Sequence, residues 1–218
     1  LYRQAGQDVL MVSLTNGDAG HHLQAGPPLA ARRRAEAAAA GAVIGAAYRT
    51  LDHHDGQLLP TLENRLQVIR LIRTYRPDLV LTHRPNDYHP DHRYTSQLVQ
   101  DAAYLITVPA VAPETPHLAA NPVIGYLPDE FQKPYPLQGD VAVDVGSVVE
   151  TIIDMLHCHT SQFYEWLPYN VGVLEQVPPG EKERRAWLGQ QVKERLRRQA
   201  KRFRSRLQGL YGPGRGTP

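Results

Sequence analysis

Two imidazoles and two carboxylates fall within six residues, at Asp87, His89, Asp91 and His92. A neutral histidine nitrogen is a good ligand for a divalent cation such as zinc. A carboxylate can ligate, act as a base, or hold a neighbouring imidazole in one tautomer. Together these types point to metal-assisted chemistry. They also have a plain structural use, because polar loops carry His and Asp for turns, and the charge of Asp91 favours a helix N-terminus. His-x-x-His alone does not separate the two readings.

The elements around the cluster bear on the choice. An apolar stretch too short for a helix, residues 79–81, predicts a fully buried strand. Pro90 suits the first turn of a helix expected over residues 91–105. The four side chains would then sit where a strand feeds a helix, at the carboxyl edge where open α/β sheets bind ligands. Upstream, residues 8–15 read as a buried strand, followed by a glycine-rich loop over 16–22 and a helix from Pro27-Pro28 to about Ile44. A short strand over 47–51, a turn over 52–56 and an amphipathic helix over 61–75, capped by Thr61, complete the first half. Strands alternating with helices predict an α/β fold with a parallel, doubly wound sheet.

After Ile106 the pattern breaks. Residues 107–122 hold four prolines and read as irregular. Two more strands are expected over 123–127 and 141–145, then a helix capped by Ser147 that runs to about Cys158 and stops at 159–162. Phe163, Tyr164, Trp166 and Tyr169 read as a packing patch. Residues 181–208 read as one helix with an apolar stripe at Leu188, Val192, Leu196, Phe203 and Leu207, and 212–218 as a disordered tail.

Composition narrows the class. The chain has 218 residues, 42% hydrophobic and 21% charged, which suits one globular domain. Its single cysteine, Cys158, excludes an internal disulfide framework. No signal-peptide pattern or apolar run of about 20 residues occurs, so a cytoplasmic location is the expectation. No Gly-x-Gly-x-x-Gly follows a strand, which disfavours a dinucleotide site. Residues 181–218 hold twelve Lys/Arg against three Glu, +9 in a chain of net +2, which leaves −7 for residues 1–180. A basic helix docked on an acidic body is the favoured reading, and contact with nucleic acid or an anionic surface is the sharper alternative.

The run His89-Pro90-Asp91-His92, preceded by Arg76-Pro77-Asp78-Leu79-Val80-Leu81-Thr82-His83, resembles the PIG-L/LmbE-like deacetylases. These are zinc hydrolases that remove N-acyl groups, usually from amino-sugar compounds. Leu14-Thr15-Asn16-Gly17-Asp18-Ala19-Gly20, Arg33-Arg34-Ala35-Glu36, residues 52–56 and His159-Thr160-Ser161-Gln162 fit the same pattern in the same order. The resemblance implies a Rossmann-like, mostly parallel sheet with helices on both faces, over residues 1–175. Residues 176–211 would be a basic helical extension.

By resemblance, His92 is a zinc ligand, His89 the electrophile or general acid, and Asp91 the carboxylate that orients His89. Arg33, three residues before Glu36, takes the place of a substrate-binding arginine, although Arg32 and Arg34 leave that choice open. Asp87 and Tyr88 could hydrogen-bond sugar hydroxyls, and His159 either approaches the same pocket or caps a helix. The implied substrate is a small amino-sugar conjugate, with a homo-oligomer left open. The family also carries a His-Pro-Asp-Asp segment after its first, central strand, supplying two zinc ligands and the general base. This sequence lacks it, so the expectation is an N-terminally truncated form of a complete enzyme. The alternative is an inactive remnant acting as a carbohydrate-binding or scaffold protein. His21, His22 and Asp18 are disfavoured as substitute ligands.

Overall fold

The computed structural model describes residues 1–214 and divides into two units, Leu1–His54 with Gly139 onward, and Asp55–Gln138. Each holds one parallel strand pair where a single sheet was expected.

In the first unit, β1 (Leu10–Thr15) pairs with β2 (Ala47–His53). A parallel pair needs a crossover, and α1 (Gly26–Val43) supplies it. Proline occupies its first turn, where a missing N–H costs nothing. Buried Gly41 allows α1 to lie close to the chain that follows it, since a Cβ there would stand 2.6 Å from the Ala46 carbonyl oxygen. The strand β2 runs to His53, absorbing the start of the predicted turn. Two later helices, α4 (Val149–His157) and α6 (Glu181–Arg202), complete the packing: α4 lies on α1 and α6 on α4. Leu29, Ala40, Ile153 and Leu188 are buried there.

In the second unit, α2 (Leu62–Tyr75) starts where Thr61 Oγ1 accepts the Asn64 N–H at 3.2 Å. β3 (Leu79–Thr82) pairs in parallel with β4 (Val123–Tyr126), with α3 (Pro90–Leu105) between them in sequence. Helices α2 and α3 pack together and bury Ile69, Ile72, Leu98, Ala102 and Ile106. Arg73, 2% exposed, donates to the carbonyls of Leu105, Ile106, Val108, Val111, Ala112 and Thr115. It therefore ties the C-terminus of α3 to the irregular segment beyond it.

Several sequence expectations are corrected. β3 is not fully buried: Leu79 is 36% and Leu81 48% exposed, whereas Thr82 is buried. Side chains alternate faces along a strand, and helix α3 contacts β3 without covering the face that carries Leu79 and Leu81. Residues 8–15 are likewise only partly buried, with Leu14 alone fully covered in β1. Residues 141–145 form no strand. Their alternating valines imitate one, yet Val141 is 79% exposed and no neighbouring ladder takes them up. Ser147 lies inside a short 3₁₀ turn and caps nothing. The helix expected to run to about Cys158 does end there, at His157, but a new helical run follows at once, a π-helical turn over Ser161–Trp166 that leads into α5 (Leu167–Asn170). The long basic helix breaks at Phe203 into α6 and α7 (Arg204–Tyr211). Of the expected disordered tail, residues 215–218 lie outside the described residues. No helix among the described residues is long and apolar enough to cross a membrane.

Candidate metal centre

The loop from β3 to α3 is built by its own side chains. Asp87 Oδ1 accepts the His89 N–H at 2.9 Å, the short-range bond that makes Asp a turn former. Arg93 Nη1 reaches back to the carbonyls of Asp87 at 2.7 Å and Tyr88 at 2.9 Å. His89 is the N-cap of α3, its Nδ1 accepting the Asp91 N–H at 3.3 Å, and Pro90 stands next, as the sequence predicts. His92 then falls on the first turn, facing the loop.

This folding brings three ligand atoms together. His83, Asp87 and His92 each offer one, all within 4.8 Å of one another. His92 Nδ1 lies 3.1 Å from Asp87 Oδ1, and the His83 ring stacks on His92 with centroids 4.3 Å apart and planes 5° apart. Burial, reinforced by the neighbouring His92, pushes the His83 pKa below its ordinary value. A histidine kept neutral presents a lone pair, the form a metal takes. Two imidazoles and one carboxylate are a donor set that suits zinc.

A second group, Asp55, His89 and Asp91, meets the same distance condition. Asp91 is 3% exposed, and its carboxylate accepts the N–H groups of Gly56 at 2.7 Å and Leu58 at 3.2 Å. Its closest approach to the His89 ring is 4.0 Å, beyond hydrogen-bond length. The first duty of Asp91 is therefore to fix the loop that leads towards α2. Tyr88 stands 73% exposed, its ring 5.9 Å from both His89 and His92.

Other candidates lie in the first unit. Arg33 Nη2 donates to the Gly20 carbonyl and to Gln162 Oε1 at 2.6 Å. Gly17, at φ +72°, leaves room for it: a Cβ there would stand 2.7 Å from Arg33 Cδ. Arg32 is not a free surface charge but grips both oxygens of Glu165 at 2.8 and 2.5 Å and pairs with Glu36 at 3.2 Å. Glu36 in turn accepts the Ser161 N–H and hydroxyl. His21 is held by Glu165 at 2.8 Å, and Asp18 pairs with His54 at 2.6 Å. Neither they nor His22 belong to either metal-competent group. Burial lowers the pKa of His159, with nearby Arg33 acting in the same direction and Glu36 against it.

Sequence reading missed His83 and Asp55. Asp87, expected at a substrate hydroxyl, joins the ligand group. The spacing of His83, Asp87 and His92 crosses a strand end, a loop and a helix, so no single periodicity links them. The usable signal was that His83 directly follows the last residue of a strand.

Comparison with known proteins agrees with the resemblance. Over 182 residues the chain is 29% identical to a diacetylchitobiose deacetylase of Thermococcus kodakarensis, covering 76% of this chain and 65% of that one. Over 145 residues it is 25% identical to a 4-oxalmesaconate hydratase of Pseudomonas putida, covering 66% of this chain and 56% of the relative. The chain thus spans less than two thirds of the length of either. Its fold matches that of the N,N'-diacetylchitobiose deacetylase from Pyrococcus horikoshii with a TM-score of 0.66 and 23% identity, over 81% of this chain and 68% of that one. The family model of PIG-L, GlcNAc-PI de-N-acetylase, matches residues 1–103.

Proposed function

We propose that the protein is a zinc-dependent hydrolase that removes an N-acetyl group from an amino-sugar-containing substrate. The observation that carries this reading is the grouping of His83, Asp87 and His92 at the N-terminus of α3, beside His89. The deacetylases among its relatives support the reaction class.

His83, Asp87 and His92 would hold the metal. When bound, zinc supplies Lewis acidity, polarising the acyl carbonyl and making a nearby water more acidic. Water adds to the carbonyl carbon, the C–N bond breaks, and acetate and a free amine leave. His89 manages the proton on the leaving side. Its Nδ1 is taken as an acceptor by the Asp91 N–H, so in the neutral ring the proton sits on Nε2. From there the N–H can hydrogen-bond the developing oxyanion, and only as imidazolium would the ring give a proton to the departing nitrogen. Asp91 serves this step by holding the first turn of α3 and the 55–58 loop in place. The family pattern instead pairs His92 with two ligands and a general base from a His-Pro-Asp-Asp segment, a sequence absent from residues 1–218, whereas His83 and Asp87 are proposed as ligands from the geometry alone. Tyr88 is proposed to bind the substrate beside the metal group; a substrate-binding role for Arg33 rests on its place in the family pattern alone.

The test pairs calorimetric titration of the protein with Zn²⁺ and assay of acetate and amine release from N,N'-diacetylchitobiose. Saturable zinc binding with zinc-dependent acetate release is expected. A protein that neither takes up zinc nor releases acetate overturns the reading. The hydratase relative motivates a second reading, addition of water to a carbon–carbon double bond. Turnover of 4-oxalmesaconate without acetate release would favour it.

A further inference from the structure

The segment that follows β4 returns to the metal-site loop and is held there by one buried cation. Arg84 is 5% exposed, and its Nε and Nη2 donate to the two carboxylate oxygens of Asp129 at 2.6 Å each. The same guanidinium reaches the Phe131 carbonyl at 3.2 Å. Asp129 Oδ1 also accepts the Phe131 N–H at 3.0 Å. The main chain of Phe131 is therefore gripped on both sides by a bidentate ion pair, a geometry with little rotational freedom. Its ring lies 5.7 Å from that of Tyr88, tilted by 54°. Tyr88 meets the edges of His89 and His92 while remaining 73% exposed. Two aromatic rings in contact, one of them beside the candidate ligand His92 and largely in solvent, are not there to fill a core.

We propose that Tyr88 and Phe131 form an aromatic step that stacks the C–H face of a pyranose ring, and that Arg84 and Asp129 are the positioning pair that sets Phe131 at its height. A sugar ring has one face rich in slightly positive C–H groups, and the face of an aromatic ring is negative. The step selects cyclic amino sugars over open-chain amides bearing the same acetyl group. This deepens the deacetylase reading and rests on it for the identity of the scissile bond.

The experiment separates binding from turnover. Saturation-transfer NMR and equilibrium titration use N-acetylglucosamine as the ring probe and N-acetylethanolamine as the open-chain probe, on zinc-free and zinc-loaded protein. Ring C–H protons should receive the transfer. Phe131→Ala should weaken the sugar about tenfold, the loss of one stacking contact, and leave the open-chain probe unchanged. Phe131→Trp should restore sugar affinity. Arg84→Lys and Asp129→Asn should reproduce the loss with zinc affinity retained, and in turnover it should appear in KM. Equal weakening of both probes, no change in Phe131→Ala, or no rescue by Phe131→Trp would overturn the proposal. Phe131-dependent sugar binding without acetate release would keep the aromatic step and sink the hydrolase reading.

Discussion

At the scale of single residues, the two histidines of His-x-x-His have separable duties, and substitution should split them. His92 shares its position with Asp87 and His83, so His92→Ala should abolish zinc uptake. His89→Ala should keep zinc and lose turnover by roughly 10²- to 10⁴-fold, the usual worth of a positioned acid or base. Zinc content and acetate release on the same samples decide it, and near-normal turnover in His89→Ala would remove the assigned role. Much of this cluster was legible because its four residues sit within one loop and one helical turn. His83 was not, because its partner ring lies nine residues away and only the fold stacks them. The partners of Asp91 were also hidden, being backbone amides of residues far upstream. Glu165 gives a pH prediction. Its bond to Arg32 holds its carboxyl below the ordinary value, so the folded form binds its proton less readily than the unfolded chain. That contribution is present above about pH 4.5 and is lost as pH falls through the depressed folded value. Denaturant melts at pH 7 and pH 3 should show a larger acid loss in the wild type than in Arg32→Gln. Equal losses would refute the assignment.

At the scale of elements, the sequence located helices and strands by period and mistook them where the period lacked a partner. Pro90 and Thr61 signalled real helix starts, because proline and an N-cap hydroxyl act through the adjacent backbone alone. The alternating valines over 141–145 carried the period of a strand, but a strand also needs a neighbour to bond. The break at Phe203 was invisible for a similar reason. The ring of Phe203 lies against Gly139, where a Cβ would come within 2.7 Å of it, a contact between distant parts of the chain. Arg73 offers the sharpest test at this scale. A buried guanidinium bonded to six carbonyls can be replaced by methionine in volume but not in donors, and each orphaned carbonyl costs on the order of 1–3 kcal/mol. Arg73→Met should therefore destabilise the protein far more than Thr61→Ala, which removes one cap worth about 1 kcal/mol. Denaturation midpoints for the two variants would rank them, and the reverse order would show that Arg73 is not the clamp for residues 105–115.

At the scale of the whole molecule, charge asymmetry foretold that the basic helix would meet acidic surface, and it does so at two points of α4. Arg185 pairs with Glu150 at 3.0 Å and with Asp154 at 2.6 Å, and Lys193 pairs with Glu150 at 2.7 Å. Yet Glu150 is 58% and Asp154 46% exposed at the side chain, and exposed pairs contribute only about 0–1 kcal/mol each. Leu188, 3% exposed, and Gly189, where an added Cβ would come within 3.4 Å of Ile153, mark a close apolar contact between α6 and α4. Truncating a buried leucine costs about 2–5 kcal/mol. Apolar contact should thus hold α6 in place, with the ion pairs setting its register along α4. Leu188→Ala should lower the melting temperature by several degrees and expose α6 to proteolysis, whereas Glu150→Gln with Asp154→Asn should change it little. Raising salt from 0.05 to about 0.5 M, which shortens electrostatic reach to a few ångströms, should likewise leave the melting temperature nearly constant. A steep fall with salt, or a double variant as damaged as Leu188→Ala, would show that charge and not apolar burial keeps this helix on the body.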